Sequence, residues 1–171
     1  MAVLEILTAP DPRLLTKAIS VEKVDRGIRK ILDDLLETLY HKNGVGLAAV
    51  QAGIQKRIVV IDLGERNGIP FKPLFMTNPE LQWVSPTSQV TKEGCLSVPG
   101  YYENVVRPLE IQVSYVDENN QNQLLSAKDL LADCIQHEID HLNGILFIEH
   151  LSALKRHLIL SKLRKEKKPR R

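Results

Sequence analysis

The sequence has little cysteine, few aromatic residues and no long apolar segment. Of its 171 residues, 2 are cysteines and 5% are aromatic, and no run approaches the roughly 18 apolar residues typical of a membrane-spanning helix. A basic, apolar leader of the kind that directs secretion is also not evident. We therefore expect a cytoplasmic protein without a membrane partner, in which Cys95 and Cys134 stay reduced and are candidates for metal binding or catalysis.

An excess of one charge is also absent from the chain as a whole, because the net charge is only +2. Residues 1–154 contain 14 Lys and Arg against 20 Asp and Glu, a net of −6, whereas residues 155–171 contain 9 basic residues against Glu166, a net of +8. This polarity disfavours a uniformly basic nucleic-acid binder and a DNA partner. It predicts a single domain over 1–171, with an acidic body and a basic helical tail at about 152–171.

The spacing of apolar residues predicts an α+β fold, in which a mostly antiparallel sheet packs around a central helix, with an N-terminal helix and a C-terminal helix. Apolar positions recur at three- and four-residue steps from Val24 to Asn43-Gly44, which is typical of an amphipathic helix. A second helix is predicted after Ser126 as N-cap and ends at Asn143-Gly144, and a third follows Ser152. Runs of strand-like composition lie at 58–61, 71–78, 88–92, 109–116 and 123–125.

The second predicted helix carries the segment His137-Glu138-Ile139-Asp140-His141. Residues four apart lie on one face of a helix, with Cβ atoms about 6 Å apart, so both imidazoles can bind one metal ion. Glu138 lies about 100° around the helix from His137, within reach of a water molecule at that metal. The pattern therefore indicates a catalytic metal site with Glu138 as general base, although it also occurs in helices whose histidines are only structural.

A catalytic site of this kind needs a third protein ligand and leaves one position open. Cys95, in the segment Glu93-Gly94-Cys95-Leu96-Ser97, is the best candidate, because a thiolate binds soft divalent metals well. A closed site that also used Cys134 is disfavoured, because Cys134 and His141 are seven residues apart, about 10.5 Å along a helix. Cys134 is therefore expected in a pocket wall or in the core.

Three segments of the sequence together resemble the peptide deformylase family. They are Gly44-Val45-Gly46-Leu47-Ala48-Ala49-Val50-Gln51, Glu93-Gly94-Cys95-Leu96-Ser97 and Gln136-His137-Glu138-Ile139-Asp140-His141, in that order. The likeness extends to Pro10-Asp11-Pro12-Arg13-Leu14, to 57–63 and to Asn78-Pro79, so it covers most of the chain apart from the tail. One such segment would be weak evidence, whereas three in order are highly specific.

The resemblance implies a metal-dependent hydrolase of the bacterial cytoplasm that removes the N-formyl group from the initiator methionine of nascent polypeptides and releases formate. It implies that Cys95, His137 and His141 bind one divalent metal ion, Fe(II), with Zn, Ni or Co as replacements; ligand type alone would favour zinc. Glu138 would take a proton from a water molecule at the metal and deliver it to the departing amine.

The resemblance also assigns residues that contact the substrate. The Gln51 side-chain amide and the Leu96 backbone N–H would stabilise the developing oxyanion. The segment 44–47 would pair with the substrate backbone as an added strand, while an apolar pocket selects methionine. Val45 and Leu130 would line that pocket, although by themselves they would be taken for core residues. The expected substrate-binding residues are Gly44, Val45, Gly46, Leu47, Gly94, Leu130 and Cys134.

Two acidic residues of the second helix carry separate hypotheses. Asp133 occupies a position where relatives often have an apolar residue. Either it makes one edge of the pocket more polar or it faces solvent near the helix start, where its charge suits the helix dipole, and we expect the second. Asp140 is expected to pair with Arg107 and so to steady the helix that carries the ligands. Tyr101 and Tyr102 stand where many relatives have a basic residue, and they are left outside the predicted site.

The sequence leaves open two alternative functions and one further partner. Zinc endopeptidases share the helical motif, but Cys95 weighs against this class. Such enzymes usually complete the site with His or Glu after the helix, where only Glu149, His150 and His157 are candidates. A metal-stabilised RNA-binding module without enzymatic activity would instead depend on the basic tail. For an enzyme resembling deformylase, the tail predicts docking on the ribosome near the exit tunnel, where formyl-Met nascent peptides emerge.

Overall fold

The computed structural model describes residues 2–66, 69–70 and 72–167. The α-helices are α1 (Arg26–His41), α2 (Asp129–Leu142) and α3 (Ala153–Glu166), and short 3-10 helices cover Pro12–Leu15, Ala49–Ala52 and Phe147–His150. The strands are β1 (Gly46–Ala48), β2 (Ile58–Ile61), β3 (Glu65–Arg66), β4 (Ile69–Pro70), β5 (Leu74–Val84), β6 (Ser88–Cys95), β7 (Val98–Pro108), β8 (Glu110–Val116) and β9 (Asn122–Lys128). Within these ranges, none of the helices is long and apolar enough to cross a membrane.

The main sheet has five strands in the order β1-β2-β5-β8-β9, and each neighbouring pair is antiparallel. β6 and β7 form a separate antiparallel hairpin, and β3 pairs with β4. The predicted α+β fold with mostly antiparallel strands is therefore confirmed, with the strands divided among three sheets. β1 forms one edge of the main sheet, which leaves its outer side toward the functional residues described below.

The apolar run of β2 is buried on both faces because a helix covers each side of the main sheet. Ile58 and Val60 belong to the core cluster that contains the apolar face of α1. Val59 and Ile61 alternate with them and belong to the opposite cluster, which contains the apolar residues of α2. Successive side chains of a strand point to opposite faces, so four consecutive apolar residues are needed here. This packing fixes α2 across one face of the sheet.

A third apolar cluster attaches the β6–β7 hairpin to the C-terminal part of the chain. Val98 and Val105 of β7 pack with Phe147 of the last 3-10 helix and with Ile159 and Leu163 of α3. The hairpin is therefore held beside α2 rather than being free at one end. Its position matters because β6 ends at a cysteine that faces the histidines of α2.

The start of α2 differs from the prediction. Ser126 is not its N-cap, because Ser126 lies in β9 and pairs with Gln112 of β8. The pairing continues to Lys128, which is the residue before the helix and supplies no side-chain cap. Asp129 then begins the helix with a positive φ of 55°. Main-chain pairing with β8 has taken the groups that the predicted cap would have used.

Strands β5, β6 and β9 extend beyond the runs that the sequence pattern indicated, and β7 is an additional strand. The strand predicted over 71–78 is Leu74–Val84, which continues through Asn78-Pro79 by means of a register shift between Thr77 and Glu80; Phe71 lies outside the described residues. A bulge of this kind accommodates a proline, which cannot donate to the neighbouring strand. β7 was not predicted, because Pro99 and Gly100 at its start resemble a loop.

Candidate active site

A cavity of about 440 Å³ opens between α2, the segment before β1 and the β6–β7 hairpin. α2 contributes Leu130, Asp133, Cys134, His137 and Glu138 to one wall. Residues 43–46, Gln51, 91–96, 98–100 and Tyr102 form the remainder. Segments that are far apart in the sequence thus meet around one concave surface, which is the usual form of a small-molecule or peptide site.

Cys95 and His137 line this cavity, and the fully buried His141 lies beside them. One ligand atom from each lies within 4.8 Å of those of the other two, and Cys95 Sγ is 3.2 Å from His141 Nε2. The two imidazole rings are 5.0 Å apart at their centroids and stand edge to face. A thiol and two imidazoles at this spacing are a donor set suited to a zinc- or iron-type divalent metal. These three residues could therefore hold a metal ion.

The protonation of the two histidines depends on their partners. Burial and the neighbouring His137 hold the pKa of His141 well below its ordinary value, so His141 is neutral, as a ligand must be. Burial would lower the pKa of His137 too, but hydrogen bonds with Cys95 and Glu93 outweigh burial and raise it. A proton and a metal ion would therefore compete for His137.

A network of buried charged groups orients the His137 ring through its Nδ1 atom. His137 Nδ1 lies 2.9 Å from Glu93 Oε2, and Arg107 Nη2 donates to the same carboxylate at 3.0 Å. Burial alone would raise the pKa of Glu93, but the hydrogen bonds with His137 and Arg107 lower it to about 2. The predicted ion pair is also present, because Arg107 Nη1 donates to Asp140 Oδ2 at 2.9 Å. Support of this kind fixes the ring and the tautomer of a metal ligand.

Glu138 lies in the cavity wall but is almost completely buried, with 3% of its surface exposed. Its Oε2 atom has no hydrogen-bond partner among the described residues. Burial is the main reason that its pKa rises to about 7, and the negative charge of Glu93 acts in the same direction. A carboxylate with a pKa near neutrality can both accept and return a proton.

The backbone leaves room for Glu138 at Gly46. A Cβ atom at this position would lie 2.6 Å from Glu138 Oε1 and 2.8 Å from Cys134 Sγ. Such distances are too short for a side chain, so glycine allows β1 to approach α2 closely. Gly44 has different surroundings from Gly46, because a Cβ atom at Gly44 would face the side chains of Leu39 and Leu96.

Gln51 is held in one orientation by three contacts. Its Oε1 atom accepts from the Ala48 N–H at 2.9 Å, while Nε2 donates to Ser97 Oγ at 3.2 Å and lies 3.5 Å from Cys95 Sγ. The amide N–H groups are consequently directed toward the cysteine at the cavity wall. Leu96 follows that cysteine and also lines the cavity. Gln51 and Leu96, which are distant in sequence, therefore lie at the same site.

Most of the residues predicted to bind substrate do line the cavity, namely Gly44, Val45, Gly46, Gly94, Leu130 and Cys134. Leu47 is different, because its side chain is fully buried in the cluster that faces α1. Only its main chain, in the edge strand β1, is available on this side. Cys134 is buried, and burial raises the pKa of its thiol well above the ordinary value, so it behaves as an uncharged wall residue.

The prediction that Asp133 faces solvent is wrong. It is 4% exposed and lines the cavity on the same helical face as Leu130, Cys134 and His137. Its Oδ2 atom accepts from Thr91 Oγ1 at 2.5 Å, across the gap between α2 and β6. A charge near the helix start suits the helix dipole in either orientation, so the dipole argument did not determine which way the side chain points.

Several residues that line this cavity were not predicted, among them Glu93, Thr91 and Tyr102. Alternation along a strand offered a signal for the first two, because Thr91, Glu93 and Cys95 point to the same face of β6. The ring of Tyr102 lies against Gly94, where an added Cβ would be 2.3 Å from Cε1 of the ring. That contact depends on the pairing of β6 with β7, which the sequence pattern did not reveal.

An α+β fold with a Cys-His-His group that could hold a metal ion, and with a buried glutamate at the same cavity, is the arrangement expected of a metal-dependent hydrolase. Residues 3–157 match the model of the polypeptide deformylase family. The chain belongs to that family. The peptide deformylase of Azotobacter vinelandii is 49% identical over 166 residues, which are 97% of either chain. Peptide deformylase 1 of Pseudomonas syringae pv. tomato is 49% identical over 168 residues, or 98% of either chain.

Solved structures show the same relationship. The crystal structure of peptide deformylase from Ehrlichia chaffeensis matches with a TM-score of 0.91 at 43% identity, over 99% of both chains. The structure of the Ehrlichia chaffeensis enzyme in complex with actinonin matches with a TM-score of 0.93 at 45% identity, over 98% of this chain and 99% of that one. The fold is therefore shared over nearly the whole length.

Proposed function

We propose that this chain is a metal-dependent deformylase that hydrolyses the N-formyl group of the initiator methionine in newly synthesised polypeptides and releases formate. The observation that carries the proposal is the buried carboxylate of Glu138 at a cavity that Cys95 and His137 also line, with His141 close enough to complete a group that could hold a metal ion. Membership of the deformylase family supports the substrate. The substrate class is a linear formyl-Met peptide.

The proposed metal ligands are Cys95, His137 and His141. A divalent metal held by them would polarise the formyl carbonyl and lower the pKa of a water molecule. We propose Fe(II) as the natural metal, with Zn, Ni or Co able to replace it. Metal analysis after anaerobic purification tests this, together with exposure to air: a thiolate-ligated Fe(II) enzyme should lose activity in air faster than its zinc-substituted form.

Glu138 is the proposed general base and acid. Its carboxylate would accept a proton from the attacking water and then donate it to the departing amine nitrogen. Its burial supports this role, because the pKa of about 7 lets the group exchange protons near neutral pH. Gln51 Nε2 and the Leu96 backbone N–H would stabilise the charge that develops on the formyl oxygen. The contacts that fix the Gln51 amide support that assignment, because donors held in advance need no reorganisation.

The substrate backbone is proposed to align with the edge strand β1. Gly44, Val45, Gly46 and the main chain of Leu47 would form hydrogen bonds to it, as in strand addition. The position of β1 at the edge of the main sheet supports this arrangement. Gly94, Leu130 and Cys134 would contact the first residue of the peptide, and their place in the cavity wall supports that role.

The direct test compares formyl-Met peptides with internally quenched, unformylated peptides. We expect release of formate from the first and no cleavage of the second. Cleavage of only the unformylated peptides would instead support a zinc endopeptidase. The endopeptidase alternative is not favoured, because two of the three residues that could have completed its site have other partners: Glu149 binds Arg156 at 3.0 Å and His150 binds Asp140 at 2.8 Å.

The basic tail is proposed to bring the enzyme to the ribosome near the exit tunnel. Exposed Lys162, Arg164, Lys165 and Lys167 on one end of the protein support binding to ribosomal RNA or protein by charge. We also propose that residues 1–171 form one domain with the basic tail at its C-terminal end, and that the enzyme acts in the cytoplasm. Deletion of residues 164–171 should spare turnover of small peptides and weaken ribosome binding in a salt-dependent way. Unchanged ribosome affinity would contradict the docking role.

A further inference from the structure

One helical face of α2 forms the wall where the first side chain of the substrate is proposed to lie. Leu130, Asp133, Cys134 and His137 are spaced at three, four and seven residues from the first of them, so they form one stripe. All four line the cavity. The stripe begins with an apolar residue and ends at a proposed metal ligand, and Asp133 introduces a carboxylate between them.

The carboxylate of Asp133 is only partly satisfied. Its Oδ2 atom accepts from Thr91 Oγ1 at 2.5 Å. Its Oδ1 atom is buried and has no hydrogen-bond partner among the described residues. The side chain as a whole is 4% exposed. An acceptor left without a partner in such a place costs free energy, and a charged acceptor costs more than a neutral one. A donor on a ligand would remove that cost.

Carboxylates outnumber lysine and arginine side chains around this part of the cavity, where exposed Lys92 is the one lysine or arginine among the described lining residues. Glu93 and Glu138 line it together with Asp133. Arg107 neutralises Glu93 through two hydrogen bonds and also binds Asp140, so its guanidinium is already occupied. Thr91, the one described partner of Asp133, is neutral. An incoming group that carries N–H donors, above all a cationic one, would therefore complement this wall.

We propose that Asp133, held by Thr91, is a specificity-determining residue that lets the cavity accept a formyl peptide whose first side chain ends in a hydrogen-bond donor, such as an ammonium group. This rests on the proposed deformylase function. An entirely apolar wall rejects such side chains, because a buried charge without a partner is costly. The same carboxylate contributes nothing to a methyl or thioether end, so discrimination in favour of apolar side chains is weaker here than with an apolar wall.

The test uses two formyl peptides that differ only at the end of the first side chain. Norleucine and ornithine have side chains of equal length, ending in a methyl group and an ammonium group. The measured quantity is kcat/KM for the norleucine peptide divided by kcat/KM for the ornithine peptide. We expect Asp133→Leu to increase this ratio about tenfold or more, and Asp133→Asn to increase it as well, since its amide presents a donor to the ammonium group.

A ratio measured on one enzyme sample cancels differences in metal content and in the folded fraction. Asp129→Asn is the matched control, because Asp129 lies exposed one turn earlier in α2 and loses the same charge. The control should leave the ratio unchanged. A ratio that stays constant in both Asp133 variants would overturn the proposal, as would an equal loss of both activities, which is the result of a purely structural role.

The two proposals fail in different ways. If the wild-type enzyme releases formate from none of the peptides, including formyl-Met, the proposed function is wrong. If it hydrolyses formyl-Met and formyl-norleucine peptides but the Asp133 variants do not change the ratio, only the role of Asp133 is wrong. Thr91→Val provides a second measurement, because loss of the hydroxyl releases the carboxylate from its only described partner and should also shift the ratio.

Discussion

The Nδ1 atom of His137 and the Oε2 atom of Glu93 lie 2.9 Å apart in the interior of the protein, 44 residues apart in sequence. This contact directs the other ring nitrogen of His137 toward Cys95 and His141. It also joins the β6–β7 hairpin to α2, because Glu93 lies in β6 and His137 in α2. The orientation of one proposed metal ligand therefore depends on a carboxylate that is not itself part of the ligand set.

Glu93→Gln should weaken metal binding about 10- to 100-fold, because the amide cannot hold the imidazole as firmly as the carboxylate. The measurement is competition with a chelator, followed by metal analysis of the protein. Glu103→Gln is the matched control, since Glu103 lies directly opposite Glu93 in the hairpin but binds exposed Lys155 instead. Equal metal retention in both variants would contradict the supporting role of Glu93.

Glu138→Gln should retain the metal but lower kcat about 10²- to 10⁴-fold, because the amide cannot accept and return a proton. The buried site should tolerate the change, since the two side chains have nearly the same shape. Formate release and metal content are measured on the same preparation. Activity within a few-fold of the wild type would refute the role of Glu138 as general base.

Gly46→Ala should reduce activity strongly, because its methyl group would lie 2.6 Å from Glu138 Oε1. The strand or the glutamate must move, and either movement disturbs the proposed substrate edge. Gly27→Ala in α1 is the control: its methyl group would meet only Asp25 Oδ1 at 3.3 Å, and alanine favours a helix by roughly 0.5–1 kcal/mol. Steady-state kinetics and thermal unfolding of both variants separate a local effect from a global one.

Tyr40 should ionise later than an ordinary tyrosine. Partial burial and the hydrogen bond that its hydroxyl donates to Asp62 Oδ2 raise its pKa to about 12. Because the folded-state pKa lies above the unfolded value of about 10, the stabilisation from this contact is fully present below pH 10 and is lost as the pH rises through about 12. Alkaline titration followed by phenolate absorbance should show a late step.

Two variants assign that late step to Tyr40. Tyr40→Phe should remove it, and Asp62→Asn should move it toward the ordinary tyrosine range, since the negative neighbour is lost. The Asp62→Asn and wild-type curves are compared after subtraction of the Tyr40→Phe curve, which removes the other three tyrosines. Superimposable curves for wild type and Asp62→Asn would show that Asp62 does not control this hydroxyl.

Periodicity and local chemistry predicted much of the fold. The apolar spacing between Val24 and Asn43 indicated α1, and the strand-like run at 58–61 is β2. The spacing of His137 and His141 placed both imidazoles on one face, which is a property of any helix and needs no tertiary contact. The prediction that a third helix follows Ser152 is also confirmed, because α3 begins at Ala153, where the Ser152 side chain accepts from the Lys155 N–H at 3.3 Å.

The start of α2 and the extent of β7 could not be predicted in the same way. Ser126 has the chemistry of a cap, but strand pairing with Gln112 determines its conformation. Pro99 and Gly100 favour a loop, but pairing along the hairpin holds the following residues in a strand. In both cases pairing with a neighbouring strand outweighs a local preference of about 1 kcal/mol.

Residue types and spacing are enough to indicate the kind of chemistry: two histidines four residues apart, a glutamate between them and a cysteine in a separate segment. The surroundings of these groups follow from folding, because packing of the β6–β7 hairpin against α2 brings together residues more than 40 positions apart. That packing places Glu93 behind His137, turns Asp133 into the cavity wall beside Thr91 and buries the Leu47 side chain away from it. Local spacing determines which residues share a helical face, whereas the burial and hydrogen-bond partners of each side chain depend on contacts between distant segments.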